Sequence, residues 1–318
     1  MPSIGESTRE SYLSPQCSLK GMMSLNNSRA LKNNAFAWLL LLPSLLFLGL
    51  FTFYPMVKTL LLSFYRKDIT NFTPDFIGWE NYATMFRDAI FWKVMFNNIW
   101  FALGTVPTSI ALALAMAVFA DRVAKAKYWV RTSFFSPTIL PMIAVANVWL
   151  FIYTPEYGLL SRLLNYVGKG GLNWLGDPDL VMWAMIIMII WKEAGYFMIF
   201  YLAGLQNVPK DLYEAADMDG VSGWTVFRKI TFPLLMPTTL FVMIVALTNS
   251  FKWVDHLWSM TKGGPDNASN LLLFYIYEHA FNFWDQGMAA ALTVFMIILM
   301  LFLAALQFFG LDRKIHYN

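Results

Sequence analysis

The chain of 318 residues is 58% hydrophobic and only 14% charged, against roughly 25% charge in soluble globular proteins. With 28 Phe, 19 Met and 13 Trp it carries more apolar surface than one or two soluble cores can hide. A net charge of +3 without a Lys/Arg run argues against nucleic acid as a partner. The lone Cys17 excludes an intrachain disulfide and a cysteine-held metal site, which leaves an integral membrane protein.

Residues 1–34 are polar, rich in Ser and Asn, and read as a tail. A hydrocarbon core of about 30 Å takes about 20 apolar residues per helix. Five charge-free runs meet that length, 35–57, 94–120, 132–155, 230–251 and 286–311. A sixth, 180–205, carries Lys192 and Glu193 near its middle. The expected fold is all-α, with six transmembrane helices in one domain over 35–311 and a short tail over 312–318. The first run is longer than a signal-peptide core and starts too late to be one, so it reads as a retained span. Leu271–Tyr277 is too short to cross and reads as a short helix at the surface. Basic residues stay on the cytoplasmic side. Arg122, Lys125, Lys127 and Arg131 crowd the short loop 121–131, which puts both termini in the cytoplasm.

No Gly-x-x-x-x-Gly-Lys-Ser/Thr loop is present, and Gly168-Lys169-Gly170-Gly171 has the wrong spacing for one. His256, His279 and His316 lie far apart. No Ser/His/Asp arrangement suggests itself. The expectation is a chain that is not an enzyme, with no catalytic residue, no metal site and no cofactor of its own. If it pumps, the energy comes from elsewhere.

The loop 206–234 has internal structure. Pro209 stands where a helix would begin, and Asp211 and Glu214 follow in the first turns, favourable to the helix dipole. At helical spacing Leu212, Ala215 and Ala216 share one face, with Glu214 and Asp217 on the other. Gly220 supplies a stop, because glycine takes the left-handed conformation without strain. Ser222 can cap a second short helix running toward Pro233. The small Ala face permits close approach to a neighbour.

The phrase Glu214-Ala215-Ala216, with Asp219-Gly220 and then Ile230-x-x-Pro233, resembles the Glu-Ala-Ala loop of permease subunits of binding-protein-dependent ABC importers. The family has Leu before the proline, where this chain has Phe232. Further phrases resemble the carbohydrate branch, of the maltose and glycerol-3-phosphate type. They are Phe76-Ile77-Gly78-Trp79-Glu80-Asn81-Tyr82, Tyr157-Gly158-Leu159-Leu160, Trp191-Lys192, Leu202-Ala203-Gly204-Leu205-Gln206 and Gly263-Gly264-Pro265. The ordered series covers about residues 36 to 318.

The resemblance implies a type I importer permease fold in the bacterial inner membrane. A second, homologous permease would complete the path, and a soluble binding protein would deliver a sugar-type substrate. Two copies of an ATPase would bind ATP and Mg. The elbow would be the coupling helix, with Glu214 docking, Ala215 and Ala216 packing, and Gly220 turning the chain. Candidates for the path are Trp191, Lys192 and Tyr196, with Asn249, Lys252 and Asp255. If the helix runs on, the last three join Thr248 and His256 in a stripe within about 120°. Lys192 is at least as well suited to an ion pair, and Trp191 to packing. The alternative is an ion-coupled secondary transporter, which calls for a relay inside the bilayer and commonly for inverted repeats. Neither an inverted repeat nor any deep charge beyond Lys192-Glu193 is visible.

Overall fold

The computed structural model describes residues 36–67, 73–122, 127–166, 168 and 171–311. The expected tails 1–34 and 312–318, and much of the basic 121–131 loop, lie outside these residues. Contacts divide the chain between Lys58 and Thr59. Up to that point it is the body of helix α1 (Phe36–Leu62), with one wide π turn at Gly49–Phe53. It is apolar all round, as suits a helix bathed in lipid.

From Thr59 onward the chain begins with a two-stranded hairpin, β1 (Tyr65–Arg66) antiparallel to β2 (Asp75–Phe76), and α2 (Glu80–Arg87). The side-chain amide of Asn81 donates to the carbonyls of Ser63 and Tyr65 at 2.8 and 3.0 Å, fastening α2 beneath the hairpin. Three long helices follow in the order α3 (Ala89–Arg122), α7 (Val181–Gln206) and α13 (Gln286–Leu311). Between α3 and α7 lie α4 (Lys127–Ile139), α5 (Met142–Tyr153) and the short helix α6 (Leu159–Tyr166).

Among the described residues four helices are long and apolar enough to cross a membrane; the count reaches six if each of two bent pairs is one span. One pair is α4 with α5, bent by 97°. Pro137 lies inside α4 and Pro141 caps α5, and proline removes a helical hydrogen bond while clashing with the preceding turn. The other pair is α9 (Gly223–Leu234) with α10, which begins at Met236, bent by 66°. Pro233 and Pro237 flank that bend.

α7 is the hub. It packs on α3 along most of its length, on α4 and on α10 (Met236–Ser250). Gly195 permits the approach of α4, since a Cβ there would lie 2.1 Å from the carbonyl oxygen of Phe134. One apolar cluster gathers Phe101, Met185, Ile189 and Leu257, and another Ala113, Met198, Tyr201 and Leu235. Burying such side chains yields about 25 cal/mol per Å² against water. In lipid that drive vanishes and close packing takes over, which accounts for Ala113, Ala117 and Ala120 at the α3 contact.

After α10 come α11 (Asp255–Met260) and α12 (Leu272–Tyr277). α12 forms where the sequence suggests a short helix, yet it does not lie at the surface. It packs on α3 and α13 with Leu272, Phe274, Tyr275 and Ile276 buried. Asn97 of α3 donates to the carbonyls of Asn267 and Asn270, and the Leu272 amide donates to Asn98.

Candidate translocation path and coupling elbow

The two charges inside α7 serve different neighbours. Lys192 is buried, and its ammonium donates to the carbonyl oxygens of Pro137 at 3.2 Å, Thr138 at 3.5 Å and Leu140 at 2.7 Å. The first two carbonyls belong to the last turn of α4 and the third to the break that follows it, where they are left without helical donors. A cation at a helix C-terminus is also favoured by the helix dipole. Thr138 returns a bond to the Lys192 carbonyl at 3.3 Å. Lys192 therefore holds the bend between α4 and α5 in place, and its donors are committed to backbone.

Glu193 points about 100° further round the helix, toward α10. It is buried, and accepts a hydrogen bond from the Asn249 amide at 3.1 Å. Thr105 and Ser109 of α3 and Ser250 of α10 complete a polar gap around this pair. The Ser109 hydroxyl has no hydrogen-bond partner. The gap measures about 10 Å³, room for about one water molecule at most. The polar centre of the chain is closed here.

The remaining path candidates are dispersed. Tyr196 meets Phe197 at a tilt and Phe200 edge-on, and Trp191 meets Trp149 edge-on at 5.7 Å. α10 ends at Ser250, and residues 251–254 turn before α11. The helix therefore does not run on, and the stripe from Thr248 to His256 is not formed. Instead Lys252 and Asp255 are exposed beyond the break. His256 is fully buried between Phe101 and Trp253, with neither ring nitrogen hydrogen-bonded.

Around α12, Tyr275 donates to Asp88, and the amide of Asn270 donates to Glu278 at 2.9 Å. Burial pushes the Tyr275 hydroxyl and the Glu278 carboxyl above their ordinary ranges and holds the His279 imidazole below its own.

The loop after α7 is an elbow of two helices. α8 (Lys210–Met218) begins behind Pro209, and α9 begins behind Ser222, whose hydroxyl accepts from the Thr225 amide. Gly220 stands between them at φ +67°, with the Val221 amide bonded to the Ala216 carbonyl at 3.0 Å. Tyr213 and Ala216 turn toward the body of the protein, while Leu212, Glu214, Ala215 and Met218 are exposed. Of the face that Leu212, Ala215 and Ala216 share by spacing, Ala216 alone is buried, and Leu212 lies about 100° round the helix from Tyr213. Ile230 and Pro233 lie on α9, Ile230 within its π turn at Phe227–Thr231. The sequence reading missed Tyr213, whose hydroxyl lies 3.1 Å from that of Thr231.

Bent helices around a central span, followed by a two-helix elbow, define the fold of an ABC importer permease. A bacterial ABC transporter that imports the acidic polysaccharide alginate superposes with a TM-score of 0.78 at 22% identity, covering 91% of this chain and 99% of that one.

The chain itself belongs to the family of binding-protein-dependent transport system inner membrane components, whose pattern matches residues 109–316. It is similar to the sulfoquinovosyl glycerol transport system permease protein SmoG of Agrobacterium fabrum, at 34% identity over 83% of this chain and 86% of the relative. The sn-glycerol-3-phosphate transport system permease protein UgpA of the same species is 31% identical, over 90% and 98%. The lactose transport system permease protein LacF of Rhizobium radiobacter is 33% identical, over 87% and 94%.

Proposed function

We propose that this chain is one of two permease subunits in an ATP-driven importer of a sugar or sugar derivative. It works in the bacterial inner membrane with both termini in the cytoplasm. A soluble binding protein delivers the solute, and two copies of a separate ATPase bind ATP and Mg. The relatives named for a glycoside of glycerol, a glycerol phosphate and a disaccharide support a polyhydroxylated solute. Asn249 at the end of α10, Lys252 in the break and Asp255 at the start of α11 are the residues assigned to the path. Lys252 is exposed, and its backbone amide donates to the Asn249 carbonyl at 2.9 Å.

The observation that carries this reading is the outward face of α8. Leu212, Ala215 and Met218 stand exposed beside Asp211 and Glu214 at the tip of the elbow, an apolar strip with two carboxylates, suited to a groove with a basic rim. Ala215, Gly220 and Asp219 keep the tip small, and Ile230 and Pro233 join it to α10. The test is purification of the tagged chain in mild detergent. An ATPase with a nucleotide-binding loop and a homologous permease should come with it. Glu214→Arg should shed the ATPase by at least about tenfold and keep the second permease. ATPase recovery equal to the unaltered chain would remove Glu214 from the docking contact.

A further inference from the structure

The elbow has a mechanical weakness. Its two arms, α8 and α9, meet at the left-handed Gly220, and beneath them lies a cavity of about 290 Å³. Val118, Leu205, Tyr213, Asp217, Phe227 and Thr231 are among its walls. On α8 only Ala216 is buried. Two rods joined at a hinge over an empty space fold together when one is pushed, and the push is lost before it reaches α10.

One bond closes the triangle. The Tyr213 and Thr231 hydroxyls lie 3.1 Å apart, joining the middle of α8 to the end of the π turn in α9. Thr231 is buried and stands just before the 66° bend into α10. π turns are rare and concentrate at functional positions. This one brings residue 231 to the far wall of the cavity, where the phenol meets it.

We infer that Tyr213 is a positioning residue of transport, whose hydroxyl bond to Thr231 ties the two arms so that displacement of α8 moves α10. The inference rests on the importer reading above. It adds to that reading a rigid element, of the kind needed to carry a domain motion into a two-state pathway. The tie is a single hydrogen bond between neutral groups beside a cavity, so its loss weakens coupling by roughly fivefold rather than destroying the fold.

The test uses the assembled importer in nanodiscs, with Cys17 replaced by Ser and nitroxides introduced pairwise. One pair, Lys210→Cys with Tyr128→Cys, reports the elbow. The other, Phe241→Cys with Trp183→Cys, reports α10 against α7. All four parent side chains are exposed. ATP with vanadate is added without any solute. Both distances should change in the parent complex. In Tyr213→Phe and in Thr231→Val the elbow pair should still respond, while the population shifted in the α10 pair falls about fivefold. The double variant should be no worse than either single one, and Thr231→Ser should behave as the parent. A full α10 response in both single variants overturns the tie. If the elbow pair of the parent ignores ATP, the importer reading itself falls, and the tie with it.

Discussion

Two adjacent residues of α7 show how a buried charge is made tolerable in a membrane. A charge at the bilayer centre costs about 2.5–3.5 kcal/mol on insertion scales. Lys192 offsets this with three carbonyls that the Pro137–Pro141 break has stripped of helical donors, so each group needs the other. Glu193 has one bond, to Asn249, and lines the closed polar gap. The firmer attachment is thus to the bent pair and the weaker one to α10. Lys192→Met should lower stability by about 1–3 kcal/mol, because buried carbonyls lose their donor. The loss would appear as a lower Tm of the detergent-purified protein. Discrimination between neutral and anionic solutes should stay the same, since the ammonium is not free to meet them. An unchanged Tm combined with an altered charge preference would return Lys192 to the path.

At the scale of the element, the elbow owes its form to positions rather than to composition. Gly220 holds φ +67° with open space around the place of a Cβ, so a substitution there fails through backbone strain and not through a clash. Gly220→Val should therefore stop ATP-coupled uptake while the subunit still inserts, and Gly220→Asn, which tolerates this region better, should retain a substantial part. Equal uptake in the valine variant would contradict a fixed turn. The turn, both caps and the glycine stop are readable from Pro209, Gly220 and Ser222 because they depend on local backbone chemistry. The direction of α8 is not, because an apolar strip fits a neighbour from another chain as well as its own core. The stripe beyond Asn249 failed differently: a break at 251–254 resets the helical phase, and no periodicity survives such a break. Pro137, Pro141, Pro233 and Pro237 were the available signal for the bends, but a hydropathy sum passes over them.

At the scale of the whole molecule, the apolar composition makes the helical membrane fold legible, since only helices or closed barrels satisfy the backbone in lipid. The path was not legible, because it depends on which polar residues of different helices meet. In this chain they meet at a gap of about 10 Å³ among Thr105, Ser109, Glu193, Asn249 and Ser250. Pockets that bind small molecules measure about 300–1,000 Å³, so this polar gap is far too small for a solute the size of a disaccharide. Widening it means separating α10 from α7 and breaking the Glu193–Asn249 bond. Under the importer reading proposed above, a homologous permease would supply the opposite wall for such an opening, and ATPase closure would supply the work through the elbow. An ion-coupled transporter would instead need a relay of ionisable groups across the bilayer, and Lys192 and Glu193 are tied to opposite helical neighbours. The chain alone in liposomes should accordingly accumulate no lactose or sn-glycerol 3-phosphate under a proton or sodium gradient. The full complex should accumulate its solute only with ATP inside. Gradient-driven accumulation by the isolated chain would show that a single copy opens a complete path, and neither the elbow nor the ATPase would then be needed.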